Sequence, residues 1–125
     1  MTKDWETAMS KGDVGAASAL LTQGVDINSR NRFGHTGLMI DAKNGHVELV
    51  HNLARAGADL NVTAKYNLSA LMLAVINGHE DVAAELVRAG ADKTIRGSGA
   101  PGFQDKTAYR LAADRSMTGV LASLQ

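Results

Sequence analysis

Asn44-Gly45-His46-Val47-Glu48 recurs as Asn77-Gly78-His79-Glu80-Asp81, and 33 residues separate Gly45 from Gly78. A second motif, Gly57-Ala58-Asp59-Leu60-Asn61, recurs as Gly90-Ala91-Asp92-Lys93-Thr94, again with 33 residues between the leading glycines. Two separate motifs sharing one period point to a stacked helical repeat. Extending the period toward the N-terminus finds Lys11-Gly12-Asp13-Val14 and Gly24-Val25-Asp26-Ile27-Asn28 in phase. The chain thus reads as four units, about 1–30, 31–63, 64–96 and 97–125, within a single domain spanning 1–125. Ser69 and Thr107 lie 38 rather than 33 residues apart, so about five residues are inserted in the last unit, at 97–102.

Inside each unit the apolar residues follow helical spacing. Leu49, Val50, Leu53 and Ala54 stand at i, i+1, i+4 and i+5, which makes one stripe on a helix. With Leu38 and Ala42 before them, they align with Leu71, Val75, Val82, Ala83, Leu86 and Val87 in the next unit. Trp5, Met9, Ala16, Ala17, Leu20 and Leu21 hold the same offsets in the first. The glycine between the two apolar segments tolerates left-handed backbone that a side chain resists, so it splits each unit into two short antiparallel helices. The following Asp-x-Asn (Asp26 and Asn28, Asp59 and Asn61) suits turns, because short polar side chains bond nearby backbone. Thr36 and Ser69 precede the first helix of their units and are expected to cap it. The first and last units look like caps, so the stack is expected to be complete.

Bulk composition narrows the function. Thirteen basic and thirteen acidic residues cancel, which argues against a nucleic-acid or membrane-surface protein. There is no cysteine, hence no disulfide and no thiolate zinc site. No apolar stretch approaches the roughly 20 residues that span a bilayer. With no targeting segment visible between Met1 and Ser10, the expected location is cytoplasmic.

The pattern resembles the ankyrin repeat over nearly the whole chain. The family's G-x-T-P-L-H-x-A-A-x-x-G-H appears as Gly34-His35-Thr36-Gly37-Leu38-Met39-Ile40-Asp41-Ala42-Lys43-Asn44-Gly45-His46, and its G-A-D-x-N stands at Gly57–Asn61. Gly37 and Ala70 replace the motif's proline, and Met39 and Met72 its histidine. The resemblance implies an all-α, ankyrin-type solenoid of stacked helix-turn-helix units with hairpin loops, about four repeats including two caps. It implies a non-enzymatic module that binds a partner protein through its concave groove, as an inhibitor, immunity protein or adaptor.

Features that could carry chemistry have plainer readings. Gly97-Ser98-Gly99-Ala100-Pro101-Gly102 matches G-x-G-x-x-G, but a dinucleotide site needs a buried strand before it and a helix directly after. His46 and His79 occupy the family's Gly-His slot, where the imidazole satisfies neighbouring backbone groups. His51 is expected on the polar side of its helix and His35 near a hairpin tip, with no ligand spacing between them. No catalytic residue, cofactor or metal is expected. Asp41 is the exception to the pattern: its counterparts are Ala8, Ala74 and Ala112, and its carboxylate is read either as lying at a groove edge with a local partner or as a specificity residue retained at a cost in stability.

By the same resemblance, partner-contacting positions fall on the hairpin tips and the inner face of the first helices. Those are Arg32, Phe33, His35, Lys43 and Asn44 in the second unit, and Lys65, Tyr66, Leu68, Ile76 and Asn77 in the third. The fourth supplies Phe103, Gln104, Lys106, Asp114 and Arg115, with Arg30 and Arg96 at the junctions. Of the five aromatic residues, Trp5 and Tyr109 fall on the core leucine slot, while Phe33, Tyr66 and Phe103 mark successive hairpins and are expected hot spots. Seven basic residues (Arg30, Arg32, Lys43, Lys65, Arg96, Lys106 and Arg115) share this surface. The expected partner is a protein with an acidic segment or loop, bound by a chain that is monomeric alone. No small-molecule substrate is expected. The alternative is a nucleic acid or other acidic ligand on the same basic face.

Overall fold

Each unit begins where a hydroxyl takes a free backbone N–H at a helix start. In the computed structural model, which describes residues 1–125, Met39 N donates to Thr36 Oγ1 and Met72 N to Ser69 Oγ, both at 3.3 Å. Thr2 and Thr107 cap in the same way. These residues start the first helix of each unit: α1 (Lys3–Lys11), α3 (Gly37–Asn44), α5 (Ala70–Ile76) and α7 (Ala108–Asp114). The second helices are α2 (Val14–Thr22), α4 (Val47–Arg55), α6 (Glu80–Arg88) and the short α8 (Leu121–Leu124). The fold is all-helical: α1, α3, α5 and α7 form a continuous row, and α4, α6 and α8 stack behind it with α2 on α1.

The apolar stripe read from the sequence closes the core. Leu49, Val50 and Leu53 on α4, and Val82, Ala83 and Leu86 on α6, are buried together with Leu38, Leu71 and Leu111 in one cluster that runs the length of the stack. Each such leucine contributes about 2 kcal/mol by leaving water. Trp5 is fully buried, whereas Tyr109, expected in the equivalent core slot, is only half-buried.

Two side chains couple one unit to the next. Gly45 ends α3 at φ +80, and a Cβ placed on it would lie 2.6 Å from His79 Nδ1. His79 Nε2 in turn donates to the carbonyl of Lys43 at 3.0 Å, satisfying one of the orphan oxygens at the end of α3. His46 makes the same arrangement over Gly12, with its Nε2 at 3.2 Å from the Ser10 carbonyl. The imidazole does serve neighbouring backbone, but the neighbour belongs to the preceding unit.

The Asp-x-Asn pattern has a similar double use. Asn61 N donates to Asp59 Oδ1 at 3.0 Å and closes the local turn, while Asp59 N donates to Asn28 Oδ1 of the unit before at 2.8 Å. Asp92 N repeats the link to Asn61 Oδ1 at 2.8 Å. Asn61→Ala should therefore lower unfolding free energy by about 1–2 kcal/mol, with the exposed Asn52→Ala as a neutral control, read from urea denaturation.

Asp41 departs from the sequence expectation. Its carboxyl is not at a groove edge and has no local partner. It is fully buried, and neither oxygen accepts a hydrogen bond. The cause is its row: α3 is packed against α1, α4 and α5, and the neighbouring units place Ala8 and Ala74 at this position. Removal from water pushes its pKa up to about 9, so the group is neutral at neutral pH.

Candidate functional site

The hairpin of the second unit is closed by Asn31, whose backbone bonds Gly34 and His35 and whose side chain adds two further bonds. Asn31 Oδ1 accepts from Phe33 N at 2.9 Å and from His35 N at 3.0 Å, which turns the chain and leaves the Phe33 ring pointing outward. Phe33 is 63% exposed, and the Arg32 guanidinium sits 4.9 Å from its ring centroid. An exposed ring with a cation over it keeps both an apolar face and a charge available to a partner.

The third hairpin is built differently. Tyr66 and Asn67 have φ of +62 and +57, two successive non-glycine residues in left-handed backbone. Such residues persist where surrounding structure holds them. The hold comes from the inserted segment and the residue before it: Ser98 N donates to the Tyr66 carbonyl at 2.8 Å, and Asn67 Nδ2 to the Arg96 carbonyl at 2.9 Å. The Tyr66 and Phe103 rings pack against each other at a 43° tilt with centroids 5.5 Å apart, and Gly99 leaves room for the tyrosine ring beside it. The three hairpin aromatics therefore divide into a half-buried pair and one free ring. Gly97–Gly102 is part of this packing; no strand precedes it and α7 starts only at Ala108.

The basic residues also divide. Arg30 Nη1 donates to the Thr63 carbonyl at 3.3 Å and Arg96 Nη1 to the Asp105 carbonyl at 2.6 Å, so both serve as struts between or within hairpins. Lys106 pairs with Asp114 at 2.6 Å and holds that carboxyl below the usual carboxylate range. Arg115 Nη1 caps the Leu111 carbonyl at 3.1 Å. Arg32, Lys43 and Lys65 have no carboxylate within ion-pair distance. On the outer side of the stack, Glu85 takes hydrogen bonds from His51 and Arg88, and its carboxyl is lowered by His51 first and Arg88 second.

The free groups meet at a cleft of about 450 Å³, walled by Phe33, His35, Lys43, Asn44 and Lys65, with the end of α1 on its far side. His35 is half-buried, and burial, then the charge of Lys43, lower its pKa, so it is neutral at neutral pH. Of the other positions expected to contact a partner, Asn77 is exposed and Ile76 half-buried. Leu68 belongs to the core instead, at 7% exposure, because the chain entering α5 must turn inward there to place the Ser69 cap.

The family model for ankyrin repeats (3 copies) matches residues 6–97. No curated relative matches in sequence. Among solved structures, one similar chain comes from the complex of the predatory endopeptidase Bd0816 of Bdellovibrio bacteriovorus with the immunity protein Bd3460. It superposes with a TM-score of 0.86 at 28% identity, over 98% of the present chain and 62% of the other. Sequence match and helical architecture agree, and the chain belongs to the ankyrin repeat family.

Proposed function

We propose that this protein works by binding another protein through the face built from its hairpins and first helices, without catalysis of its own. The observation that carries this is Phe33, the one large hydrophobic side chain left exposed, standing among three cations that have no carboxylate partner. Aromatic residues and arginine dominate binding hot spots, and a folded chain gains nothing internally from leaving such a ring in water. Family membership supports a protein partner. Similarity to a chain of an endopeptidase–immunity protein complex favours one version of this role, in which the protein inhibits its partner by occupying it.

The test is affinity capture from a native lysate of the source organism, with wild type beside Phe33→Ala. Phe33 is the cleaner variant, because Tyr66→Ala and Phe103→Ala would each also loosen the inserted segment. A partner held by wild type should bind Phe33→Ala weaker by about 2 kcal/mol or more, close to thirtyfold in Kd. Equal capture by both proteins would move the binding face elsewhere.

A further inference from the structure

We propose that the cleft between Phe33, Lys43 and Lys65 is a carboxylate subsite: it takes one aspartate or glutamate side chain of the partner, with an adjoining apolar residue laid on the Phe33 ring. This rests on the protein-binding reading above and names the chemistry it selects. The sorting of the cations is the starting point. Seven basic residues line this surface in sequence, but Arg30, Arg96, Lys106 and Arg115 are spent on carbonyls or on Asp114. A guanidinium bonded to a carbonyl keeps its charge but has its direction fixed, so the cations free to turn toward a partner's carboxylate do not form a stripe along the groove. They are gathered at one place, with Lys43 and Lys65 in the cleft wall and Arg32 over the ring beside it.

The cleft has one carboxylate of its own, Glu6, and its Oε2 accepts from Asn31 Nδ2 at 3.0 Å in a half-buried position. Neither cleft lysine is within ion-pair distance of it. Two lysines against one tied carboxylate leave a single positive charge, which matches one incoming carboxylate. Phosphodiester backbones are held by many cations in a row, and the resident Glu6 would oppose them. The walls are mixed, with the Phe33 ring and the nearly buried Ile40 beside the lysines, so an acidic residue next to an apolar one fits better than a run of acids.

Lys65 is also held ready. Its Nζ lies 4.9 Å from the centroid of the Tyr66 ring, and that ring is fixed by Gly99 of the insertion and by Phe103 just after it. The insertion lines no part of the cleft, yet it holds the backbone that carries one of its two lysines. A charge positioned before the partner arrives loses less freedom on binding.

The experiment is an NMR titration of isotope-labelled protein with acetyl-Leu-Glu-Leu-amide, with acetyl-Leu-Gln-Leu-amide as the uncharged twin. The glutamate peptide should move the amide signals of Phe33, Lys43 and Lys65 and bind about fivefold tighter than the glutamine peptide, the scale of two partly exposed ion pairs. The double variant Lys43→Ala/Lys65→Ala, both exposed positions, should erase that preference, whereas Lys106→Ala should leave it. Equal binding of the two peptides, no binding by either, or a preference that survives the double variant overturns the subsite. A trinucleotide that moves the same signals more strongly than the peptide also overturns it, in favour of a nucleic acid. In the first three cases, partner capture that still depends on Phe33 would leave the proposed function standing without the subsite.

Discussion

Asp41→Ala is expected to stabilise this protein, and by more at about pH 8 than at about pH 5. The wild-type carboxyl is fully buried with no hydrogen-bond partner, and its pKa is raised from 3.8 to about 9. Below the lower value both folded and unfolded chains carry the proton, and ionisation favours neither. As pH rises through it, the unfolded chain releases the proton while the folded chain keeps it. Folding then loses about 1.4 kcal/mol per pH unit until the folded group also ionises. At pH 7 the loss reaches at most about 4 kcal/mol. Alanine fits the slot, since Ala8, Ala74 and Ala112 are buried at the equivalent positions. Asp41→Asn should remove the pH slope while keeping a buried polar group, at a remaining cost of about 1–3 kcal/mol. Urea unfolding of the three proteins at both pH values decides it. Parallel pH profiles for wild type and Asp41→Ala would mean that the carboxylate is already ionised in the folded protein.

Gly45→Ala should cost about 3 kcal/mol, and Gly57→Ala only about 1. Both glycines have left-handed backbone, at φ +80 and +92, so both substitutions carry the strain of that region. They differ in what the new methyl group meets. At Gly57 there is open space, but at Gly45 the methyl would lie 2.6 Å from His79 Nδ1. The imidazole must then move, which breaks its bond to the Lys43 carbonyl and uncovers the end of α3. A double-mutant cycle separates the two contributions. In a His79→Ala background, Gly45→Ala should fall to the cost of the backbone alone, a non-additivity of about 2 kcal/mol. Additive costs would show that the histidine does not sense the glycine.

How far the sequence could be read follows from which interactions repeat. The helix pairs were legible, because glycine and apolar spacing impose a local geometry that each unit shows independently. The roles of His79 over Gly45 and of Asn28 toward Asp59 were half legible. Their periodic recurrence marked them as structural, but the partner lies in another unit and nothing local names it. The proposed binding face was harder. Counting basic residues located the surface, yet only the folded chain shows Arg30 and Arg96 turned to carbonyls and Lys43 and Lys65 left free. The pairing of Tyr66 with Phe103 depends on an insertion that folds back on a hairpin some thirty residues earlier, and an irregular segment carries no period from which to infer that. The burial of Asp41 escaped for the opposite reason: its alanine counterparts marked the slot as packed, and the carboxylate was nonetheless expected to find an exit.

The histidine and asparagine couplings that join the first three units are missing at the last junction, which relies instead on Ser98 N to the Tyr66 carbonyl and on Lys93 Nζ to the carbonyls of Ser123 and Gln125. Gly78 faces nothing, since Met117 stands where the histidine would, and Thr94 replaces the bridging asparagine. Ser116 takes the left-handed slot that glycine fills elsewhere, at φ +56. In a linear array, stability is the sum of what each unit holds within itself and what each junction adds. Unequal junctions then mean unequal opening, and α7 with α8 should exchange their amide protons sooner than the helices of the second and third units. Every residue that lines the cleft lies before that seam, but the Lys65 hairpin leans on Gly99 and Phe103 beyond it, so loosening of the last unit would reach the proposed subsite through that one lysine.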